Sequence, residues 1–532
     1  MSQPSPQPPR GTRSAVLTGV VVGALVFVVG LGGILTWQAS NHGRDNSATL
    51  APSPTAQGRP HRGPMPASDP SLASFYHQRL HWRSCGANQC ARLKVPLDYA
   101  HPGRRTLELA VLRVPAGVPS QKVGDLVINN GGPGGSPVDY AQAAPTQFGA
   151  RLLDRFAIVG MDPRGVGQSD PLECVGTHDL DEMLASDPDP DTEKERNRMD
   201  ALIHRFGEGC LAHDAGLARH MSTVEVAKDT DILRAALGDP KLDYLGLSYG
   251  TFLGATYANL FPHHVGRMVL DGAIDPKLSN LQLSLAQAHG FEVALRAYVK
   301  SCVDQGGCIL GNSVDQGTRR VRTLLDQIEA HPLPTGTSRP LTAGLAMMGV
   351  WMPLYVKSWW PELTVGLKQA IVDHRGSTLL QMADLYASRG PRSYTDNSMN
   401  ALYDVNCLDH DDYIPTSQVP QYFKRFEKVS PTFGKAFAFS LSTCADWPVK
   451  SHKHTVALHA KGAPPILVVG TTRDPATPLA WARGLASELD SGVLVTRNGD
   501  GHTAYHQGNQ CIDSTVEDFL ISDKVPPNGK AC

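Results

Sequence analysis

The chain has 532 residues, a formal net charge of −2 and 41% hydrophobic residues. This length exceeds that of one ordinary domain, so two or three domains are expected. The nearly neutral charge gives no electrostatic basis for binding nucleic acid, which is therefore not an expected partner. The share of charged residues, 19%, is ordinary for a globular protein.

An uncharged apolar run occupies residues 15–37, and Arg10 and Arg13 precede it. About 20 apolar residues suffice to cross a bilayer, and basic flanks tend to stay in the cytoplasm. The run therefore predicts a transmembrane anchor, with residues 1–14 in the cytoplasm and the remainder outside. A cleaved signal peptide is the alternative, although its apolar core is usually only about 7–15 residues long. Residues 38–72 are rich in proline and predict an extended linker.

Ten cysteines follow the apolar run. An even number of cysteines is typical of disulfides in an oxidising compartment, which agrees with export. A zinc site is the alternative, but the spacings do not repeat as C-x-x-C units. We therefore expect an extracytoplasmic protein, anchored or secreted, with sequential disulfides Cys85–Cys90, Cys174–Cys210, Cys302–Cys308, Cys407–Cys444 and Cys511–Cys532.

Strands alternate with helices in the first folded segment, residues 73–275. Such alternation predicts a mostly parallel α/β sheet. An acidic and basic stretch at 178–200 interrupts the alternation and indicates a solvated insertion. The apolar runs predict strands at 91–99, 106–114, 125–129, 156–161, 242–247 and 267–271, with helices at 222–237 and 251–260.

The alternation stops at residue 276. Residues 276–455 are mostly helical in pattern and rich in tryptophan and methionine, which predicts a separate helical subdomain. The α/β pattern returns in residues 456–532, with strands at 466–470 and 493–496 and a helix at 479–489. The long segment is therefore a helical cap inserted before the last strands of the sheet.

The pattern Gly246-x-Ser248-x-Gly250 lies between the predicted strand at 242–247 and the helix at 251–260. In this strand–turn–helix arrangement the sharp turn exposes a serine nucleophile at the top of the sheet. A five-residue pattern recurs by chance, so an inert serine in a glycine-rich turn is the alternative. The remaining residues of the chain favour the nucleophile.

A serine hydroxyl needs a general base, and the base needs a group that orients it. Asp474 and His502 follow the last two predicted strands, which gives the chain order Ser, Asp, His that is typical of α/β-hydrolases. His506 is a rival base, and Asp271 and Asp500 are rival acids. Asp500 is the weaker rival, because it is too near His502 in sequence to reach its far ring nitrogen easily.

An oxyanion hole needs two N–H groups that point at the developing negative charge. Tyr249, the residue after the serine, supplies one candidate. The loop NGGPGGS at 130–136 follows the strand at 125–129 and supplies the other, at Gly132. A plain tight turn is the alternative for this loop, and a phosphate loop is not supported because no Gly-Lys-Ser/Thr follows.

Four segments now stand in order along the chain: NGGPGGS, DPRGVGQSD, YLGLSYGT and the pair TRDPATP and GDGHT. Together they resemble the exported bacterial tripeptidyl aminopeptidases, relatives of the prolyl aminopeptidases. The resemblance covers residues 75–532, including the segment 291–308 with its two cysteines. It implies an α/β-hydrolase fold and a serine exopeptidase that acts on peptides near a free N-terminus through an acyl-enzyme, without a metal or organic cofactor.

The resemblance also implies that cap carboxylates bind the substrate amine, for which Asp409 and Glu292 are the candidates. One departure concerns Asn130, because the prolyl branch usually has histidine before GGPG. This difference bears on proline specificity more than on hydrolysis. An esterase that acts on acyl esters is the alternative on the same fold. A catalytically silent binding module is a further alternative, but such proteins usually lack a triad residue.

Overall fold

The computed structural model of the chain describes residues 69–449 and 458–532. These residues form the strands β1 Arg83–Cys85, β2 Asn88–Pro96, β3 Thr106–Val114, β4 Gly124–Asn129, β5 Phe156–Met161, β6 Leu242–Leu247, β7 Val265–Asp271, β8 Ile466–Arg473, β9 Gly492–Asp500 and β10 Lys530–Ala531. The strands make one sheet in the order β1-β2-β3-β5-β4-β6-β7-β8-β9-β10. The pairs from β1 to β5 are antiparallel, and those from β5 onward are parallel. The prediction of a mostly parallel sheet is confirmed.

Helices cover both faces of this sheet. Those before β7 are α1 Ala73–Tyr76, α2 Pro137–Gln142, α3 Ala144–Gln147, α4 Ala150–Arg155, α5 Thr177–Ala185, α6 Glu193–Ala218, α7 Thr223–Leu237 and α8 Tyr249–Leu260. Those between β7 and β8 are α9 Asn280–Asp304, α10 Val314–Ala330, α11 Ala343–Leu354, α12 Trp360–Val372, α13 Ser377–Tyr386, α14 Ser398–Asp409, α15 Phe423–Val429 and α16 Gly434–Phe439. The helices after β8 are α17 Leu479–Glu488 and α18 Gln510–Ser522. The helices α9 to α16 occupy the segment that the sequence analysis predicts to be a helical cap, and they are called the cap below.

The central strands are buried on both faces, which explains their nearly continuous apolar sequences. Successive side chains of a strand point to opposite faces. In β6, Tyr244 packs into the apolar cluster on one face and Leu245 into the cluster on the other. In β8, Val468 and Val469 divide in the same way. The sheet therefore separates two apolar layers, and one of them continues into the helices α9 to α16.

The acidic stretch at 178–200 is less solvated than its sequence indicated. It forms α5 and the start of α6, where Thr192 and Glu195 make a reciprocal capping box. The Asp189 carboxylate is only 5% exposed and lies 3.1 Å from Nη1 of Arg322 in α10. The insertion therefore packs against the cap, because an ion pair with an arginine from another element lets the acid be buried.

The ten cysteines form five disulfides, in the sequential pairs expected from the chain order. Such a set indicates folding in an oxidising compartment. The cytoplasmic segment 1–14, the anchor predicted at 15–37 and most of the linker at 38–72 lie outside the described residues. Among the described helices, none combines the length and apolar character needed to cross a bilayer.

Candidate active site

Ser248 occupies the sharp turn between β6 and α8. Its backbone has φ 56° and ψ −124°, a strained region that costs a non-glycine residue about 1–3 kcal/mol. The Ser248 N–H donates to the carbonyl oxygen of Asp271 at 2.9 Å, which fixes the turn. A Cβ at Gly246 would lie 2.3 Å from the carbonyl oxygen of Gly250. The turn therefore requires small flanking residues and presents the serine at the end of the central strand.

Asp474 follows β8, and His502 follows β9 on the neighbouring strand. His502 Nδ1 lies 2.9 Å from both carboxylate oxygens of Asp474. The carboxylate also accepts the N–H groups of Ala476, Thr477 and Thr503 at 3.0, 2.8 and 3.1 Å. These donors hold the carboxylate in one orientation, so the imidazole is held in one orientation as well.

The electrostatics of His502 follow from this pairing. Burial by itself lowers the pKa of His502, but the Asp474 carboxylate, assisted by Asp271, outweighs burial, so the pKa is raised above 6.5. The other ring nitrogen, Nε2, is buried and has no hydrogen-bond partner among the described residues. His502 and Ser248 line the same cavity. A neutral imidazole held at Nδ1 presents Nε2 as a proton acceptor.

The rival acids and the rival base have other contacts. Asp271 is fully buried, and its Oδ2 accepts two main-chain N–H groups of the loop after His502, at 3.0 and 2.7 Å. Burial raises the pKa of Asp271 to about 6. Asp500 pairs with Arg473 at 2.5 Å, and His506 is exposed. Of the predicted candidates, the structure brings together Asp474 and His502, with Asp271 supporting the loop of His502.

The glycine loop after β4 lies against the serine turn. A Cβ at Gly131 would lie 2.6 Å from the carbonyl oxygen of Leu247 and 3.0 Å from the nitrogen of Tyr249. Gly132 has φ 112°, a conformation that L side chains rarely adopt. Tyr249 is the first residue of α8, where N–H groups have no partner within the helix. The backbone of the glycine loop thus lies beside Ser248 and the first residue of α8.

Asp162 fixes this glycine loop, a role that the sequence analysis did not predict. Its Oδ1 accepts the Ser136 hydroxyl at 2.6 Å and the Val138 N–H at 3.0 Å. Its Oδ2 accepts the Gln168 N–H at 2.9 Å. Burial raises the pKa of Asp162 to about 6, although these donors oppose the rise. Its place in DPRGVGQSD was the available signal.

Ser248, His502, Gly132 and Asn130 line a cavity beneath the cap. The other lining is mostly apolar or aromatic, and its main contributors are Met352, Leu385, Met399, Leu402, Tyr140, Tyr355 and Tyr386. No carboxylate belongs to this lining in the described part of the chain. The cavity therefore suits an apolar group beside Ser248.

Neither Asp409 nor Glu292 lines this cavity. Asp409 accepts the N–H of Thr223 at 2.9 Å, at the start of α7, and burial raises its pKa to about 7. Glu292 accepts the Ser430 hydroxyl at 2.9 Å and the Thr432 N–H at 3.0 Å. Each carboxylate therefore links two segments of the protein. The sequence alone could not distinguish this structural role from binding of a substrate amine.

The cap contacts the site directly. The main-chain N–H of His502 donates to the carbonyl oxygen of Tyr355 at 2.7 Å. The side-chain rings of the two residues meet edge to face, with their centroids 5.4 Å apart. Asn397, which precedes α14, accepts the Gly167 N–H at 3.0 Å and donates to the Gly165 carbonyl oxygen at 2.8 Å. Cap residues thus hold both the histidine loop and the segment that supports the glycine loop.

Comparison with known proteins identifies relatives of this chain. The family described as "TAP-like protein" matches residues 430–532. The chain is 36% identical over 484 residues to serine protease Hip1 of Mycobacterium tuberculosis, covering 86% of this chain and 91% of that protein. It is 36% identical over 456 residues to carboxylesterase B of the same species, covering 84% and 86%.

A third relative is the tripeptidyl aminopeptidase of Streptomyces lividans. It is 31% identical over 468 residues, covering 85% of this chain and 86% of that protein. The similarity to all three relatives extends over most of each chain, so it includes both sheet and cap. The chain therefore belongs to the TAP-like family of α/β-hydrolases, together with serine protease Hip1 and the tripeptidyl aminopeptidases.

Proposed function

We propose that this protein is a serine peptidase that releases short peptides from a free N-terminus. Ser248 is the nucleophile, His502 the base, and Asp474 the group that orients it. The pairing of His502 carries the proposal. Its Nδ1 is held by Asp474, its Nε2 has no hydrogen-bond partner in the described part of the chain, and the residue lines the same cavity as Ser248. Two relatives are named as a protease and a tripeptidyl aminopeptidase, which supports peptides as substrates.

The proposed reaction proceeds through an acyl-enzyme. Ser248 Oγ attacks the scissile carbonyl carbon while its proton passes to His502 Nε2. The carbonyl oxygen becomes an oxyanion that accepts the N–H groups of Tyr249 and Gly132. The C–N bond then breaks as His502 returns the proton to the leaving amine. Water, deprotonated by His502, hydrolyses the ester and restores the serine.

The protein acts outside the cytoplasm in this proposal. The five disulfides indicate an oxidising compartment. The apolar run at 15–37 is long enough for an anchor, and the linker at 38–72 would hold the enzyme away from the membrane surface. Comparing the mass of the mature protein with that of the full chain tests whether the run is retained.

Hydrolysis of acyl esters is the second candidate function. The apolar cavity lacks a carboxylate among the described residues, and carboxylesterase B is as similar in sequence as Hip1. An apolar acyl group would fit the same lining as an apolar side chain. The two functions differ in whether the substrate must carry a free amine.

The deciding experiment uses the full-length protein with three substrates: a tripeptidyl arylamide, its N-acetylated copy, and an acyl ester. We expect cleavage of the free-amine arylamide, much slower cleavage of the acetylated copy, and no product with Ser248→Ala. Equal cleavage of the two arylamides would contradict action at the N-terminus. Cleavage of the ester alone would overturn the peptidase proposal in favour of the esterase.

A further inference from the structure

The loop that carries His502 is held by the core on one side of the histidine. After the histidine, the main-chain N–H of Thr503 donates to the Asp474 carboxylate at 3.1 Å. The main-chain N–H of Tyr505 donates to the Asp271 carboxylate at 2.7 Å. Asp271 ends β7 and Asp474 follows β8, so both acids belong to the core sheet. At His502 itself and before it, the loop bonds to the cap.

Tyr355, directly after α11, contacts His502 through both its main chain and its side chain. Its carbonyl oxygen accepts the main-chain N–H of His502, and its ring packs on the imidazole edge to face. A Cβ at Gly501 would lie 2.7 Å from the same carbonyl oxygen, so this close approach requires glycine before the histidine. The ring of Tyr355 also meets that of Phe291 in α9, with centroids 5.6 Å apart, which fixes Tyr355 within the cap.

Lys357, two residues further along the cap, pairs with the acid that ends β9. Its Nζ lies 2.9 Å from Oδ2 of Asp500, whose Oδ1 lies 2.5 Å from Nε of Arg473. Burial by itself would raise the pKa of Asp500, but Arg473 and Lys357 hold that pKa below its usual value. The carboxylate therefore stays ionised. It joins the cap to the end of the strand, two residues before His502.

The placement of His502 decides whether it can act as a base. A general base must come within about 2.6–3.2 Å of the group whose proton it takes, and this contact often tightens only when substrate binds. Within the described part of the chain, Nε2 of His502 makes no hydrogen bond. A misplacement of about 1 Å can lower a rate about 10²-fold. A small shift of the loop therefore decides whether His502 reaches Ser248.

We propose that Tyr355 and Lys357 are positioning residues, which hold His502 in reach of Ser248 from the cap side. This inference rests on the assignment of His502 as the base in the proposed function, and it holds for peptide and ester substrates alike. It extends the role of the cap from shaping the cavity to placing the base. Changes at the two residues should therefore lower turnover and not only weaken substrate binding.

The test uses the full-length protein and two readouts. The first is the rate at which diisopropyl fluorophosphate labels Ser248, because this reagent needs an activated serine and is smaller than a tripeptide substrate. The second is kcat and KM, measured on whichever of the tripeptidyl arylamide and the acyl ester the wild-type protein cleaves. A residue that only lines the cavity would change KM, whereas a positioning residue changes the labelling rate and kcat.

Tyr355→Ala removes the ring that packs on the imidazole. We expect the labelling rate and kcat to fall about tenfold, the effect of a shift of a fraction of an ångström. Tyr355→Phe keeps the ring and should stay within about threefold of the wild type in both. Tyr422→Ala is the matched control, because Tyr422 is a half-buried tyrosine in the segment between α14 and α15 and does not line the cavity.

Lys357→Met removes the charge and keeps the length of the side chain. We expect kcat to fall about three- to fivefold with KM within about twofold, because an ion pair of a lysine that is 60% exposed is weak. Lys357→Arg should restore kcat, since it returns the charge. Lys368→Met, at an exposed lysine of α12, is the control and should match the wild type.

The results separate this inference from the proposed function. If Tyr355→Ala raises KM but keeps the wild-type labelling rate, or if Tyr422→Ala slows labelling equally, the positioning role of Tyr355 is overturned. If Lys357→Met matches Lys368→Met, the role of Lys357 is overturned, and this comparison stands even if Tyr355→Ala does not fold. In each case the triad remains. If the wild-type protein is not labelled at Ser248, the proposed function itself fails.

Discussion

The core side and the cap side of the cavity are built differently. On the core side, the Asp474 carboxylate accepts three main-chain N–H groups, and the glycine loop has backbone conformations that few other residues tolerate. On the cap side, residues such as Met352 and Leu385 contribute apolar surface, without directional bonds. Bond making needs atoms fixed in position, whereas an apolar pocket needs mainly size and shape.

This difference separates the proposed chemistry from the proposed selectivity. Changes on the core side should abolish or strongly reduce turnover of every substrate. Changes on the cap side should alter which substrates are preferred, with smaller effects on turnover.

Ser248→Ala is expected to have the largest effect. Removal of a triad nucleophile typically lowers kcat by about a factor of 10⁶, and this can be measured with the tripeptidyl arylamide. Ser393→Ala, at an exposed serine, should match the wild type and serves as the control. Retention of more than about one per cent of the activity by Ser248→Ala would show that the core side does not supply the nucleophile as proposed.

Asp474→Asn should lower kcat by about 10⁴-fold, because the imidazole would no longer be held in its productive orientation and tautomer. Asp271→Asn is the informative comparison, since Asp271 supports the histidine loop through two main-chain N–H groups. We expect the smaller loss from Asp271→Asn. The reverse ranking would assign the role of the orienting acid to Asp271.

Gly132→Ala should lower kcat by about 10²- to 10³-fold, the usual cost of losing one oxyanion donor. Gly132 has φ 112°, and an added Cβ would lie 2.9 Å from the Gly134 nitrogen, so the loop must move. Gly306→Ala is the control, because Gly306 also has a positive φ, 77°, but has open space around it. Equal losses from both variants would indicate general destabilisation rather than loss of the oxyanion hole.

Met399→Ala tests the cap side. The substitution enlarges the cavity without touching the bonds around Ser248. We therefore expect about a tenfold loss of kcat/KM, which is the contribution to binding of about one to two buried methylene groups. The loss should appear mainly in KM and should be larger for bulky apolar substrates than for small ones. A fall in kcat as large as the one expected for Gly132→Ala would contradict the distinction between the core side and the cap side.

The pH dependence should show the smallest effect. The proposed base must be neutral, and Asp474 raises the pKa of His502 above 6.5 despite burial. Since protonation removes the base, kcat/KM should fall on the acid side with a midpoint above 6.5. In Asp474→Asn the residual activity should have a lower midpoint, because the neighbouring negative charge is gone. An unchanged midpoint in that variant would contradict the pairing as the cause.

The sequence predicted the core side better than the cap side for physical reasons. Ser248, Asp474 and His502 lie at ends of parallel strands, where chain order and strand position determine which side chains meet. Asp409 and Glu292 lie on cap helices, and helical periodicity does not say which neighbour a buried carboxylate meets. The supporting roles of Asp162 and Asp271 depend on contacts between distant loops. The short edge strands β1 and β10 were not predicted, because their few residues show no apolar pattern.

The most direct test of the proposed chemistry is to map the adduct formed by a fluorophosphonate that reacts with activated serines. We predict a stoichiometric adduct on Ser248, strongly reduced in Asp474→Asn, where the base is no longer held in place. An adduct on another residue, or equal labelling of the wild type and Asp474→Asn, would contradict an activated Ser248 built by the core side of the cavity.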